Sequence, residues 1–312
     1  MAQTYNRRLH RFAVFTAGWT LFLLAAGGLV TSNDAGLAVP DWPLSYGSVM
    51  PPMVGGVFYE HGHRVVATIA GMLTMALAVW LWRAEARVWM RWLGWAALAA
   101  VIVQGLLGGL TVMMKLPPAV SISHATLAQL FFCATVALAL FTSRWWRETA
   151  PVAAGRDEAI RLRGFAVATV AVMVVQLILG AAFRHKVLGI LPHIAWAGVV
   201  TFLGAWTAIN ARWTRDAAPR VGRAAAWMGS LLGLQLILGV AAYLARTAAT
   251  AAGQPLGVMV GFTVAHLAVG AGTLASAVVL ALCLFRLTLP AGAGKRARSE
   301  AAAIPVLKES AL

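Results

Sequence analysis

The sequence predicts an all-α polytopic membrane protein, with eight transmembrane helices arranged as two duplicated four-helix bundles, and three observations support that expectation. Of 312 residues, 61% are hydrophobic and only 11% are charged, whereas soluble domains carry about 25% charged residues. The apolar residues gather into eight stretches, each long enough to cross a hydrocarbon layer that takes roughly 20 helical residues. Short motifs also recur at long range: Gln104 to Gln235 is 131 residues and His63 to His193 is 130.

The eight stretches lie near 12–31, 64–82, 92–113, 121–142, 163–183, 190–210, 224–245 and 260–285. The first follows Arg7, Arg8 and Arg11 and is long enough to span, so it reads as a helix rather than a cleavable signal. With eight spans, 20 of the 25 Lys and Arg fall on one side, and Arg64, Lys115, Arg184, Lys186 and Arg246 fall on the other. Basic residues are retained in cytoplasmic loops, so both termini are expected in the cytoplasm and the protein in the plasma membrane. This sorting accounts for a pI near 11.4 without nucleic acid. Trp80, Trp82, Trp89, Trp92, Trp95, Trp145, Trp146, Trp213 and Trp227 gather near the same inner boundary, as an aromatic belt does. Cys133 and Cys283 both sit in apolar runs and offer neither a disulfide framework nor a CxxC site.

The duplication orders the spans. QGLLG at Gln104–Gly108 and QLILG at Gln176–Gly180 and Gln235–Gly239 occupy the third, fifth and seventh, and LLAAGG ending at Gly28 takes the matching part of the first. The second, fourth, sixth and eighth spans each begin with a histidine: His63, His124, His193 and His266. Residues 1–150 and 151–312 therefore read as two units. The first carries 22 additional outer residues, because Gly28 to His63 is 35 positions and Gly180 to His193 is 13. That segment, Ser32 to Tyr59, is rich in Pro with Trp42 and reads as an ordered lid. The second unit has an Ala- and Gly-rich extra connection around Thr247–Gly257.

Ionisable groups in spans are costly and call for a reason. The four histidines fall near one outer boundary, where two on facing helices can ligate one haem iron axially. His63 with His124 and His193 with His266 form the expected pairs. An isolated histidine here would be an interfacial group bonded to a carbonyl, but recurrence at duplicated positions argues for a ligand set. Glu60 lies three residues before His63, and Ile190 takes its place before His193, so the acid belongs to one unit alone. A helix-start acid favoured by the macrodipole is the plainer account of it. No acid falls inside an expected span, which argues against a di-iron carboxylate centre. Arg64, Arg184, Lys186 and Arg246 are outer cations suited to haem propionates or to interfacial snorkelling, and His61 and His185 are expected at the surface.

GGLVTSNDAGLAVPDWPLSYG, EHGHR at Glu60–Arg64, QGLLGGLTV before ISHATLAQ, FRH at Phe183–His185 and VAHLAVG near the end resemble the haem A synthase family. The resemblance spans all eight apolar stretches. It implies oxidation of the C8 methyl of haem O, through a hydroxymethyl stage, to the formyl group of haem A used by terminal oxidases. It also implies a catalytic acid at Glu60, substrate haem between His63 and His124, and haem b between His193 and His266. Arg64 and Arg184 become candidate cofactor-binding residues. Haem O synthase and an electron donor are the candidate partners, beside the lipid bilayer. A non-enzymatic di-haem electron carrier of the cytochrome b561 kind would place its haems toward opposite faces, whereas these histidines share one. A transporter built from duplicated bundles would bind no chromophore.

Overall fold

The computed structural model describes residues 5–148, 152–153, 156–212, 218–252 and 256–289. Trp213, Arg215, Lys295, Arg296, Arg298 and Lys308 lie outside them. Among the described residues there are eight long helices: α1 (Arg7–Ser32), α2 (Gly55–Ala84), α3 (Val88–Met113), α4 (Pro118–Thr142), α6 (Arg156–Arg184), α7 (Leu191–Arg212), α8 (Pro219–Ala252) and α9 (Gly257–Leu287). Each contains a segment long and apolar enough to cross a membrane. The chain is thus an all-α polytopic membrane protein. A short helix, α5 (Arg144–Glu148), follows α4, and Val152–Ala153 (β1) pairs in parallel with Thr288–Leu289 (β2).

Helix ends follow local chemistry. The Asn6 side chain accepts from the Leu9 amide and caps α1, and α4 opens with Pro118, whose missing N–H costs nothing in a first turn. Two boundaries differ from expectation. Helix α2 begins at Gly55 rather than near 64, so Glu60 lies on the helix and His63 in its third turn; α8 continues to Ala252 through most of the expected extra connection. Low hydropathy hides a helix in both places: Glu60, His61, His63 and three glycines lower it at the start of α2, and Arg246, Thr247 and Thr250 among alanines lower it at the end of α8.

Packing is between chain neighbours and between the first and last helix of each run. Helix α1 packs on α2 and α4, and α3 on α2 and α4; α6 packs on α7 and α9, and α8 on α7 and α9. Contacts of α1 and α4 with α9, and of α4 with α6, join the two sets. One apolar cluster, with Leu77, Leu81, Met90 and Leu138 fully buried, lies among α1–α4, and a larger one with Met228, Leu280 and Leu284 lies mainly among α6–α9. Cys133 and Cys283 are buried free thiols in the second cluster.

The end rich in arginine is stitched by its cations. Glu85, 1% exposed between α2 and α3, receives Arg87 Nη2 at 2.8 Å and Arg147 Nη1 at 3.4 Å, while Arg87 also donates to the Phe141 carbonyl. Burial pushes the Glu85 carboxyl upward, but the hydrogen bonds and charge of Arg87, with Arg147, outweigh it and hold the group below the usual carboxylate range. A group lowered in this way stabilises the fold above the usual range, and the contribution fades as pH falls through the folded-state value. Glu85→Ala is expected to cost about 3 kcal/mol, the low end for breaking a buried pair, since water still reaches Arg87. Thermal unfolding in detergent at neutral and acidic pH checks this, and the difference from wild type should shrink on acidification.

Candidate functional site

The four histidines rest on four glycines. A Cβ placed on Gly27 would stand 3.1 Å from His63 Cε1, one on Gly108 3.2 Å from His124 Cε1, one on Gly180 2.9 Å from His193 Cε1 and one on Gly239 3.0 Å from His266 Cε1. Each ring is therefore seated where the preceding long helix has no side chain, which explains the small residues near the ends of α1, α3, α6 and α8. Gly28, next to the first of these, lies against Val264 and Leu267 of α9.

Glutamines one turn before three of these glycines hold the histidine segments. Gln104 Nε2 donates to the His124 carbonyl at 2.8 Å, and Gln176 Nε2 to the His193 carbonyl at 3.1 Å; Gln176 and Gln235 Nε2 also lie 3.3 Å from Nε2 of His193 and of His266. On α1 the corresponding residue is Leu23. The repeat was legible in the sequence, but its role in orienting the rings was not, because no spacing shows that a glutamine reaches the neighbouring helix.

Two of the rings meet as a pair. His193 and His266 have centroids 6.5 Å apart and planes inclined at 78°. Two imidazoles on opposite sides of one metal, each bonded through a nitrogen about 2 Å away, have centroids about 6 Å apart. His63 and His124 are seated on α1 and α3 in the same manner. In all four rings Nδ1 is buried without a hydrogen-bond partner. An unpaired buried nitrogen costs about 1–3 kcal/mol, so four at equivalent places are a recurrent cost that the fold alone does not require. Among the described residues no three of His, Cys, Asp and Glu come together; paired imidazoles in an apolar interior fit haem iron, which takes its remaining ligands from the porphyrin.

The segment between α1 and α2 closes over the first pair. Glu60, 4% exposed, accepts from the Val39 amide at 2.8 Å through Oε2 and from Arg64 Nη2 at 2.7 Å through Oε1. Arg64 Nη1 donates to the carbonyls of Asp41 and Leu44, at 2.8 and 2.7 Å. The Asp41 carboxylate receives the Tyr46 and Gly47 amides, which hold it below the usual carboxylate range, and Tyr46 and Gly47 take positive φ of 53° and 68° to present them. Trp42 packs on Gly109, beside the glycine that seats His124. The lid expected from the prolines is thus tied to α2 and α3.

Two expectations about single residues change, and Arg64 gains detail. Arg64 commits Nη1 and Nη2 to Glu60 and to the lid carbonyls, which leaves its Nε–H outside these bonds. Glu60 is no simple helix-start acid, since each oxygen has a donor from the lid or from Arg64. His61 is buried, not at the surface: it is 5% exposed with Nδ1 2.8 Å from Ser45 Oγ. Arg184, at the end of α6, reaches Ser32 Oγ at 3.1 Å, and Arg246 stacks over Phe183. His185 beside them is half-buried and held below the usual histidine range by burial and the Arg184 charge.

A multi-span membrane protein with paired, glycine-seated histidines at one end is the class that fold and site define. Residues 54–194 match the model of a family described as cytochrome oxidase assembly protein, a segment holding Glu60, His63, His124, Arg184 and His193 but not His266. The chain is 30% identical to heme A synthase of Alkalihalophilus pseudofirmus over 46% of this chain and 49% of that protein. It is 28% identical to that of Geobacillus kaustophilus over 58% and 57%, and 35% identical to that of Symbiobacterium thermophilum over 38% and 40%. The chain thus spans about half the length of the curated relatives it matches. Over these partial stretches the chain is similar to that family and to heme A synthases.

Proposed function

We propose that this chain is itself a haem A synthase of the plasma membrane, with both termini cytoplasmic. It converts the C8 methyl of haem O to hydroxymethyl and then to formyl with dioxygen as oxidant: each stage takes one O2 with two electrons and two protons from a donor, puts one oxygen on the carbon and releases the other as water, and the gem-diol so formed in the second stage loses water to give the formyl group. In this reading residues 1–150 form the substrate-binding bundle and residues 151–312 the haem b bundle. The observation that supports it best is the fourfold seating of His63, His124, His193 and His266 on glycines at one end of the helices.

Haem b between His193 and His266 would supply one-electron chemistry. The chain's own residues do the rest. His63 and His124 hold the substrate porphyrin while the lid, tied by Glu60, Arg64 and Trp42, keeps bulk water from the oxidised carbon. Glu60, one turn before His63, places a carboxylate where positive character develops at that carbon, and Arg64 keeps it oriented. Arg184, beside Ser32 at the seam of the two bundles, is placed to meet a propionate. A di-haem carrier would leave haem O unchanged. Co-expression with haem O synthase, followed by mass analysis of extracted haems, tests the reading: haem A or its hydroxymethyl precursor is expected, and haem O alone would reject it. An electron donor must also engage the protein.

A further inference from the structure

The far end of the lid is inside out for a loop in water. Its polar groups are engaged with one another: the Asp41 carboxylate with the Tyr46 and Gly47 amides, the Tyr46 hydroxyl with the Ala38 carbonyl, and Ser45 with His61. What it presents outward is apolar. Val49 is 79% exposed, Val54 68%, Met50 65% and Phe58 56%, and from Trp42 to Tyr59 there is no Asp, Glu, Lys or Arg. An apolar surface of this kind marks a place that something else covers.

Helix α2 shows what lies on that side. Its large exposed apolar side chains are Phe58, Val65 and Met72, spaced by seven, and Met75 and Trp82, again spaced by seven. Seven residues return a helix to nearly the same face, so these form one stripe that meets lipid along the span. Gly62 belongs to the stripe, one turn after Phe58, and Met53 of the lid brings its methyl to 3.9 Å from the place a Gly62 Cβ would take. The lid end therefore folds down over the lipid-facing side of α2.

Its depth follows from the helix. Trp82 marks the opposite interface, and Gly62 to Trp82 is 20 residues, which at about 1.5 Å each makes about 30 Å, the thickness of the hydrocarbon layer. Gly62 and the Met53 methyl stand at the edge of that layer. Phe58 lies about 6 Å further out, within the headgroup layer.

We propose that the lid end is a lipid-docking surface, with Val49, Met50, Val54 and Phe58 resting in the interfacial layer of the bilayer leaflet at that end and Met53 continuing the stripe of α2. Without a base between Trp42 and Tyr59, the contact depends on apolar burial and not on headgroup charge. The lid is then held from two sides, by Glu60 and Arg64 on α2 and by lipid at its far end.

The test places an NBD fluorophore on Val49→Cys or on Met50→Cys, in phosphatidylcholine nanodiscs holding one chain each. Cys133 and Cys283 are buried, so wild-type protein sets the background, and Lys186→Cys, at an exposed position in the α6–α7 connection, is the reference for water. Both lid labels should emit further to the blue than the reference, with iodide quenching about threefold lower, and lipid carrying a doxyl group near the headgroup should quench them strongly. Replacing half of the lipid with phosphatidylglycerol should change none of this. Val49→Asp beside the Met50 label should return iodide quenching toward the reference, and Val49→Leu should leave it low. Iodide quenching equal to the reference would overturn the proposal, as would shielding from iodide without quenching by the doxyl lipid, which would mean that the chain itself covers these residues. Shielding found only in discs holding two chains would also overturn it, making the face a contact between copies.

Discussion

Replacing both His193 and His266 with Ala is expected to remove the low-spin haem b signal from the purified protein entirely. Each ring presses on a glycine, Gly180 or Gly239, and their centroids are 6.5 Å apart, so under the proposed function this pair would hold one haem iron. Removing both leaves an apolar interior with no donor strong enough to retain the metal. The helices should still insert, since their spans do not depend on the rings. Pyridine haemochrome content and the visible spectrum in detergent check the outcome; a full complement of haem b in the double variant would show that this pair is not the site. Gly180→Leu should weaken the signal from the other side, because its side chain occupies the place of the His193 ring.

Glu60→Gln is expected to insert, keep its haem b spectrum and accumulate haem O or the hydroxymethyl intermediate, with haem A yield lowered about a hundredfold or more. Both partners of this side chain are donors, the Val39 amide and the Arg64 guanidinium. A glutamine must turn its NH2 toward one of them, so the variant removes the negative charge and weakens one fastening of the lid together. Arg64→Gln separates the two effects, since it releases the lid carbonyls while leaving the carboxylate in place. It should expose the lid to protease yet keep more turnover than Glu60→Gln. Equal losses of haem A in both would assign Glu60 to holding the lid, and normal haem A from Glu60→Gln would remove its catalytic role.

Much of this molecule was written in local sequence. Eight runs of apolar residues specify eight spans, because a helix in hydrocarbon satisfies its own backbone groups and needs only length and hydrophobicity. The four histidines stood out for the same reason: a polar group in such a run is costly enough to be conspicuous. Even the glycines and glutamines that hold them were visible as a repeat.

Partnerships were not legible, because they depend on which side chains meet across helices far apart in sequence. Only the tertiary structure decides that Arg64 serves the lid, that Glu60 bonds Val39 as well as Arg64, and that Trp42 lies on Gly109. It also decides that His61 is buried against Ser45, 16 residues away, although its place beside a predicted loop suggested exposure. Hydropathy reports the average cost of moving a residue from water into lipid. The site is set instead by the pairing of individual donors and acceptors at the helix ends, where the lid folds back over them, and that pairing exists only once the helices are packed.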